Sequence, residues 1–284
     1  MVVTSPTPKP SPGLAPQAPA VPSPTPNPAP GPPPQAPPPP APIPGAPAKP
    51  KSDAGAGEWD SEPWYSRGED IAYAKIAAAV VDAADALGYT HAAAHLDHYL
   101  DNTGDTLDVN VDSVLHDVPE ANTYANGIAA KEIRRIAAAA VAASDYDRLI
   151  TFETPWDGDF YIKKSMNDDW FFAMGGIWLS ATGVVITREG AEGAAPNVEV
   201  EYRIHLYDRY NWDDGKETEI LFVTVSDETL AGLHTAGLAR EYDIEGTSDV
   251  RKYSGPVPSD GAMKLPGSKD SRDGERTDPG RQRN

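Results

Sequence analysis

Residues 197–210 read "NVEVEYRIHLYDRY", and their alternation decides the fold. Val198, Val200, Tyr202, Ile204 and Leu206 fall on one side of an extended chain; Glu199, Glu201, Arg203 and His205 fall on the other. A strand turns successive side chains to opposite faces, so the pattern predicts an antiparallel sheet with one buried and one wet face. The neighbouring stretches "RLITFET" (148–154), "FYIKKSM" (160–166) and "DWFFAMGGIWLSATGVVITREG" (169–190) are rich in β-branched and aromatic residues and read as further strands. Downstream, residues 220–225 give another strand, Ser226 or Asp227 begins a helix, and a last strand is expected near 240–246.

Ahead of the strands the period changes to that of helices. Ser66 stands three residues before Glu69, the spacing of a capping box, and Gly88 suits the end of that helix. Thr90 can cap a second helix through about Asp101, an acidic loop and short helix follow, and 121–144 make a third long helix rich in alanine. Helices first and strands afterwards indicate an α+β domain, with three or four helices on an antiparallel sheet of four to six strands. Its core is expected to draw on Ile71, Val81, Leu87, Ile133, Phe171, Trp178, Tyr202, Ile204, Leu206, Leu230 and Leu233.

The flanks are different material. Of 30 prolines, 22 lie in the first 50 residues, so 1–51 are expected to form a disordered, locally polyproline II arm. Residues 259–284 alternate charges without apolar periodicity and are expected to be a disordered tail. Between them, 52–258 hold 38 Asp and Glu against 15 Lys and Arg, a balance that disfavours nucleic acid and anionic lipid as partners. The absence of cysteine removes disulfides, thiolate metal sites and a cysteine nucleophile. The start "MVVTSPTPKP" lacks the pattern of a signal peptide, and no apolar run reaches the roughly 20 residues of a membrane span.

Candidate chemistry gathers in two places. "YDRYNWDDGK" (207–216) offers Asp208 and Asp214, with Glu201 and His205 or His234 nearby as further acid–base groups, for hydrolysis by paired carboxylates. The same stretch has the Asn, Asp and Gly of a turn, and Tyr207, Tyr210 and Trp212 could instead form an aromatic recognition edge. His91, His95 and His98 share a helical face at i, i+4 and i+7, a spacing at which pairs of imidazoles bind zinc or nickel. "DNTGDTLDVNVD" (101–112) carries Asp101, Thr103, Asp105 and Asp112 at calcium-loop positions, but its glycine is misplaced and Asp112 stands for the usual glutamate. No nucleophile elbow or phosphate loop is present, and no cofactor is expected.

The blocks "DRYNWD…GK" and "GLA.EY…G", with "HYLDNTGDTLDVNVDSVLHDVPE" and "DWFFAMGG" before them, resemble an uncharacterised C-terminal domain of actinobacterial exported and polymorphic-toxin-like proteins. The resemblance covers roughly 95–250 and implies a secreted or cell-surface setting, with the proline-rich arm as a linker. It implies no catalytic residue. Two function classes follow. One is a secreted or surface-delivered effector or interaction module without defined catalysis, using the aromatic edge against an unknown protein or cell-surface partner. The other is a toxin-type hydrolase using the acids and histidine near 201–216, which would bring an immunity protein as partner. A concave pocket lined by Asp208, Asp214 and His205 or His234 would mark the enzyme; a flat or convex aromatic edge would mark the binder.

Overall fold

The computed structural model describes residues 42–51, 55–191, 194–212, 217–220 and 223–258. The readings made for 1–41, for 259–284 and for Asp214 lie outside them. The chain is α+β. The first half holds α1 (Gly68–Leu87), α2 (Thr90–Leu100), β1 (Leu107–Asp108), α3 (Val111–Asp117) and α4 (Pro119–Ala143). The second holds β2 (Leu149–Glu153), β3 (Asp157–Tyr161), α5 (Asp168–Ala173), β4 (Gly176–Arg188), β5 (Asn197–Tyr210), β6 (Glu217–Ile220), β7 (Val223–Ser226), α6 (Asp227–Thr235), β8 (Tyr242–Thr247) and β9 (Arg251–Pro256).

The two long strands β4 and β5 pair antiparallel from Trp178↔Tyr207 to Arg188↔Asn197. Each carries two short strands, one after the other, on its outer side: β2 and β3 beside β4, β9 and β8 beside β5. At both breaks a hydroxyl completes the ladder. Thr154 Oγ1 accepts from the Ala181 amide (2.8 Å), and Ser248 Oγ accepts from the Ile204 amide (2.9 Å). The sheet thus reaches seven strands instead of four to six, and β1 adds to β8 in parallel, so it is mixed. β6 and β7 make a separate hairpin.

One face of β5 carries the helices, as its alternation predicts. Tyr202, Ile204 and Leu206 are buried there, and Tyr202 Oη donates to Asn126 Oδ1 of α4 (2.9 Å). Small side chains at Ala121, Ala125 and Ala129 let α4 lie close to the sheet. Ile133, Leu230 and Leu233 are buried as expected, Val81 and Phe171 partly so. Ile71, Leu87 and Trp178, assigned to the core, are instead 49%, 59% and 38% exposed. In α1 the packed stripe is Ala77, Val80 and Ala84, because an alanine-rich helix offers several nearly equivalent faces and its larger residues sit on another.

Three local expectations change. Ser66 makes no capping box; its hydroxyl donates to Pro63 O, and Arg67 precedes the first turn without a side-chain cap. Thr90 does not cap α2; the Asp169 carboxylate accepts from the His91 and Ala92 amides (3.1 and 2.7 Å). That carboxylate is in position because "DWFFA" is helix α5, not strand: Asn167 Oδ1 accepts from the Trp170 amide (3.0 Å), and two acids occupy its first turn. A long-range cap from one helix to another leaves no local signature.

Candidate functional site

The second face of β5 and β4 is built from Arg203, His205, Tyr207 and Arg209 with Trp178, Ser180 and Thr182, continued across β8 by Asp243, Glu245 and Thr247. Its lower part is wet and held by cross-strand ion pairs. Glu201 meets Lys252 (2.7 Å), and Arg188 meets Glu199 (3.0 Å), holding the Glu199 carboxyl below its ordinary pKa. The upper part is not wet: Thr182 is 0% and His205 1% exposed. Residues 42–51, read from composition as part of a disordered arm, lie across it.

Each contact to this segment has a defined chemistry. Thr182 Oγ1 donates to Pro44 O (2.8 Å), and Trp156 Nε1 donates to Ala48 O (2.9 Å). Lys49 pairs with Asp243 (3.4 Å) and with Glu245, which raises its pKa. Tyr207 lies edge-on to Trp156 with centroids 6.2 Å apart, and its hydroxyl donates to Asp243 Oδ1 (3.3 Å). Gly158 lets the Trp178 ring approach; a Cβ there would fall 2.8 Å from that ring. A cleft of about 230 Å³ remains beside Pro47, lined by Trp156, Tyr207 and Glu245 among others.

The Thr182 bond fixes the tautomer of His205. The hydroxyl proton goes to a carbonyl, which only accepts, so Thr182 Oγ1 must accept from His205 Nε2–H (2.8 Å). Nδ1 is then unprotonated and accepts from Thr247 Oγ1 (2.9 Å). Burial, with help from Arg203, pushes the imidazole pKa down to about 4. A neutral histidine thus aims a threonine hydroxyl at the backbone of the arm.

The members of the proposed catalytic set that lie among the described residues do not converge. Glu201 is a cross-strand ion-pair partner, His205 faces the arm, and Asp208 falls on the opposite, helix-bearing side of β5. His234 is engaged elsewhere: Nε2–H reaches Gly57 O (3.2 Å), while Nδ1 accepts from the Glu241 amide (3.1 Å). The aromatic edge is likewise corrected. Tyr210 and Trp212 are 8% and 9% exposed, because α2 lies over the end of β5. Tyr210 stacks on Tyr242 at 5.0 Å and meets Trp212 edge-on at 5.4 Å, with Tyr99 behind at 5.8 Å. Burial raises the pKa of Tyr99, Tyr210 and Tyr242. Tyr207 is also buried, but beneath the arm's face.

The three histidines expected to bind metal each have other partners. His91 stacks on Trp170 (3.8 Å), His95 is buried edge-on to the same indole (6.2 Å), and His98 Nε2 bonds Asp105 O (2.8 Å) while its ring abuts Tyr242. Burial and the nearby His91 lower the His95 pKa to about 4. In the proposed calcium loop Asp112 serves the Asp249 amide (2.7 Å) and Arg251 (3.4 Å). No group of three metal-binding side chains stands together among the described residues.

No family model, curated protein or solved structure matches the chain. The site therefore rests on its own geometry. Thr182, Trp156, Asp243, Glu245 and Thr247 were missed from sequence, although prolines at 44, 47 and 50 followed a readable period of three. A second cleft of about 360 Å³ lies beyond Trp178, where Asp208 and Asp227 stand among Tyr161, Phe171, Phe172 and Trp212. Among the described residues no helix is long and apolar enough to cross a membrane.

Proposed function

We propose that this chain is a non-enzymatic interaction module that captures an extended segment of a partner protein on the open face of its sheet. The observation that carries the reading is the groove itself. Two side-chain donors reach main-chain carbonyls of residues 44 and 48, and two carboxylates meet a lysine between them in space, so an extended chain is held by groups any such chain could use. The setting implied by the resemblance and by the proline-rich arm is delivery outside the producing cell, where the partner is a protein of another cell or surface. Selection of displayed random peptides on the full-length chain tests this. Peptides should be enriched whose binding is lost in Thr182→Val and Trp156→Ala; enrichment of none that depends on these residues would sink the proposal.

A second reading, a toxin-type hydrolase, is favoured by one feature: two carboxylates of low exposure, Asp208 (9%) and Asp227 (5%), line the aromatic cleft beyond Trp178. Expression of the full chain in the bacterial cytoplasm and periplasm separates the two. Growth arrest abolished by folded Asp208→Asn or Asp227→Asn variants would establish the hydrolase in place of the binder.

A further inference from the structure

We infer that the open-face groove is a receptor for polyproline II segments of the form Pro-x-x-Pro-x-Lys, and that residues 44–49 are its tethered competitor; this rests on the groove being the interaction site. The seated segment is Pro44-Gly45-Ala46-Pro47-Ala48-Lys49. Pro44, Pro47 and Pro50 are half-buried, whereas Gly45, Ala46, Ala48 and Lys49 between them are exposed. One inward residue in three is the repeat of a polyproline II helix, whose backbone makes no internal hydrogen bonds. Proline offers carbonyls and no N–H. The groove answers with donors, Thr182 Oγ1 and Trp156 Nε1, and Thr182 is aimed by the buried His205. Asp243 and Glu245, two apart on β8 and so on one face, supply the site for the cation.

The segment is held close by its own root. The Ala56 amide donates to Glu241 Oε1 (2.8 Å) and Gly57 O accepts from His234, so six residues separate Lys49 from a fixed point. A tether this short gives an effective concentration of about 1 mM, and with an intrinsic Kd of about 100 µM it weakens any outside ligand about tenfold. The competitor also fits incompletely. Ala46 and Pro47 border the cleft of about 230 Å³ against Trp156 and Tyr207. An outside ligand with a larger apolar residue at the position of Ala46 would occupy that space and outcompete the tethered one.

Fluorescence polarisation with the labelled peptide 42–51 tests this on the full-length chain and on a full-length variant carrying Pro44→Gly, Pro47→Gly and Lys49→Glu. The peptide should bind the variant about tenfold more tightly than the parent. Its Ala46→Leu version should bind better still, its Lys49→Glu version about tenfold less well, and Trp156→Ala in the variant should remove binding. Equal affinity for parent and variant, indifference to Lys49→Glu, or no binding to either chain would overturn the inference. If the arm variant misfolds, spin labels on Ala46→Cys and Asp159→Cys of the otherwise parental chain give the second measurement. Excess peptide must displace the arm and lengthen their separation, and an unchanged distance counts against it. Displayed peptides that depend on Thr182 and Trp156 yet lack Pro-x-x-Pro-x-Lys would overturn this inference and leave the interaction module standing.

Discussion

Thr182→Val is the sharpest perturbation of the site, because valine keeps the shape of threonine and removes only the hydroxyl. Two effects of different size follow. The His205 Nε2–H loses its acceptor at a position 1% exposed, which costs about 1–3 kcal/mol of global stability. The arm loses its bond to Pro44 O, worth about 1 kcal/mol net, so its docked fraction relative to undocked falls about fivefold. Urea unfolding followed by circular dichroism reads the first effect; the Ala46–Asp159 spin-label distance reads the second. The companion variant Thr182→Val with His205→Leu removes donor and acceptor together. It should lose less than the sum of its single variants, since Thr247 is exposed and can pair with water. If Thr182→Val changed stability by less than about 0.5 kcal/mol and left the distance distribution unaltered, the hydroxyl would not be the link between His205 and the arm.

Two of the three buried histidines among the described residues, His95 and His205, predict an acid-labile fold. His95 and His205 titrate near 4 when folded against 6.5 ordinarily, so the unfolded chain takes up protons first as pH falls. Stability is full above about 6.5, declines to about 4 and then levels, with about 2 kcal/mol per histidine lost between pH 7 and 5. Urea midpoints across that range measure it, and a flat profile would contradict the burial of both rings as neutral species. Asp169→Ala strips the cap from α2 and should cost about 1 kcal/mol in the same assay. At Gly183 a Cβ would lie 2.6 Å from Glu201 O and 2.7 Å from the Phe152 ring, so Gly183→Ala should destabilise by about 1–3 kcal/mol; a neutral effect would mean that β4 and β5 yield more than their register suggests.

What the sequence made legible was whatever a single element decides for itself. The alternation from Val198 to Leu206 placed the helix-bearing face correctly, and Gly88 does end α1 in a left-handed conformation. What a second element decides was not legible. His205 belongs to the side that alternation marks as wet, and it is dry only because residues 42–51 cross over it. Tyr210 and Trp212 have the composition of a contact edge, yet α2 and β8 turn them into core. The histidine stripe is real at i, i+4 and i+7, but His91 and His95 pack on the Trp170 indole while His98 meets Asp105 O and Tyr242. One signal was available and unread: Asn167 followed by two aspartates ahead of "WFFA" is a helix start, outvoted by the β propensity of its aromatics.

The strength of the arm's docking also bears on its use. A segment meant only to cover a sheet face permanently would bury apolar side chains, as Tyr202 and Ile204 do on the other side. This one presents prolines and small residues, with Ile43 its one large apolar side chain and only half-buried, leaves the Lys49 side chain 48% exposed, and relies on two neutral hydrogen bonds and a surface ion pair. Such hydrogen bonds contribute about 1 kcal/mol each and an exposed pair about 0–1 kcal/mol, less than burial of large apolar side chains would add, so the end is held weakly. Glu241 and His234, by contrast, fix residues 56 and 57 with buried groups. A firmly anchored root and a weakly held end are what a tethered competitor requires, because the end must leave for a better ligand while the root keeps it within reach.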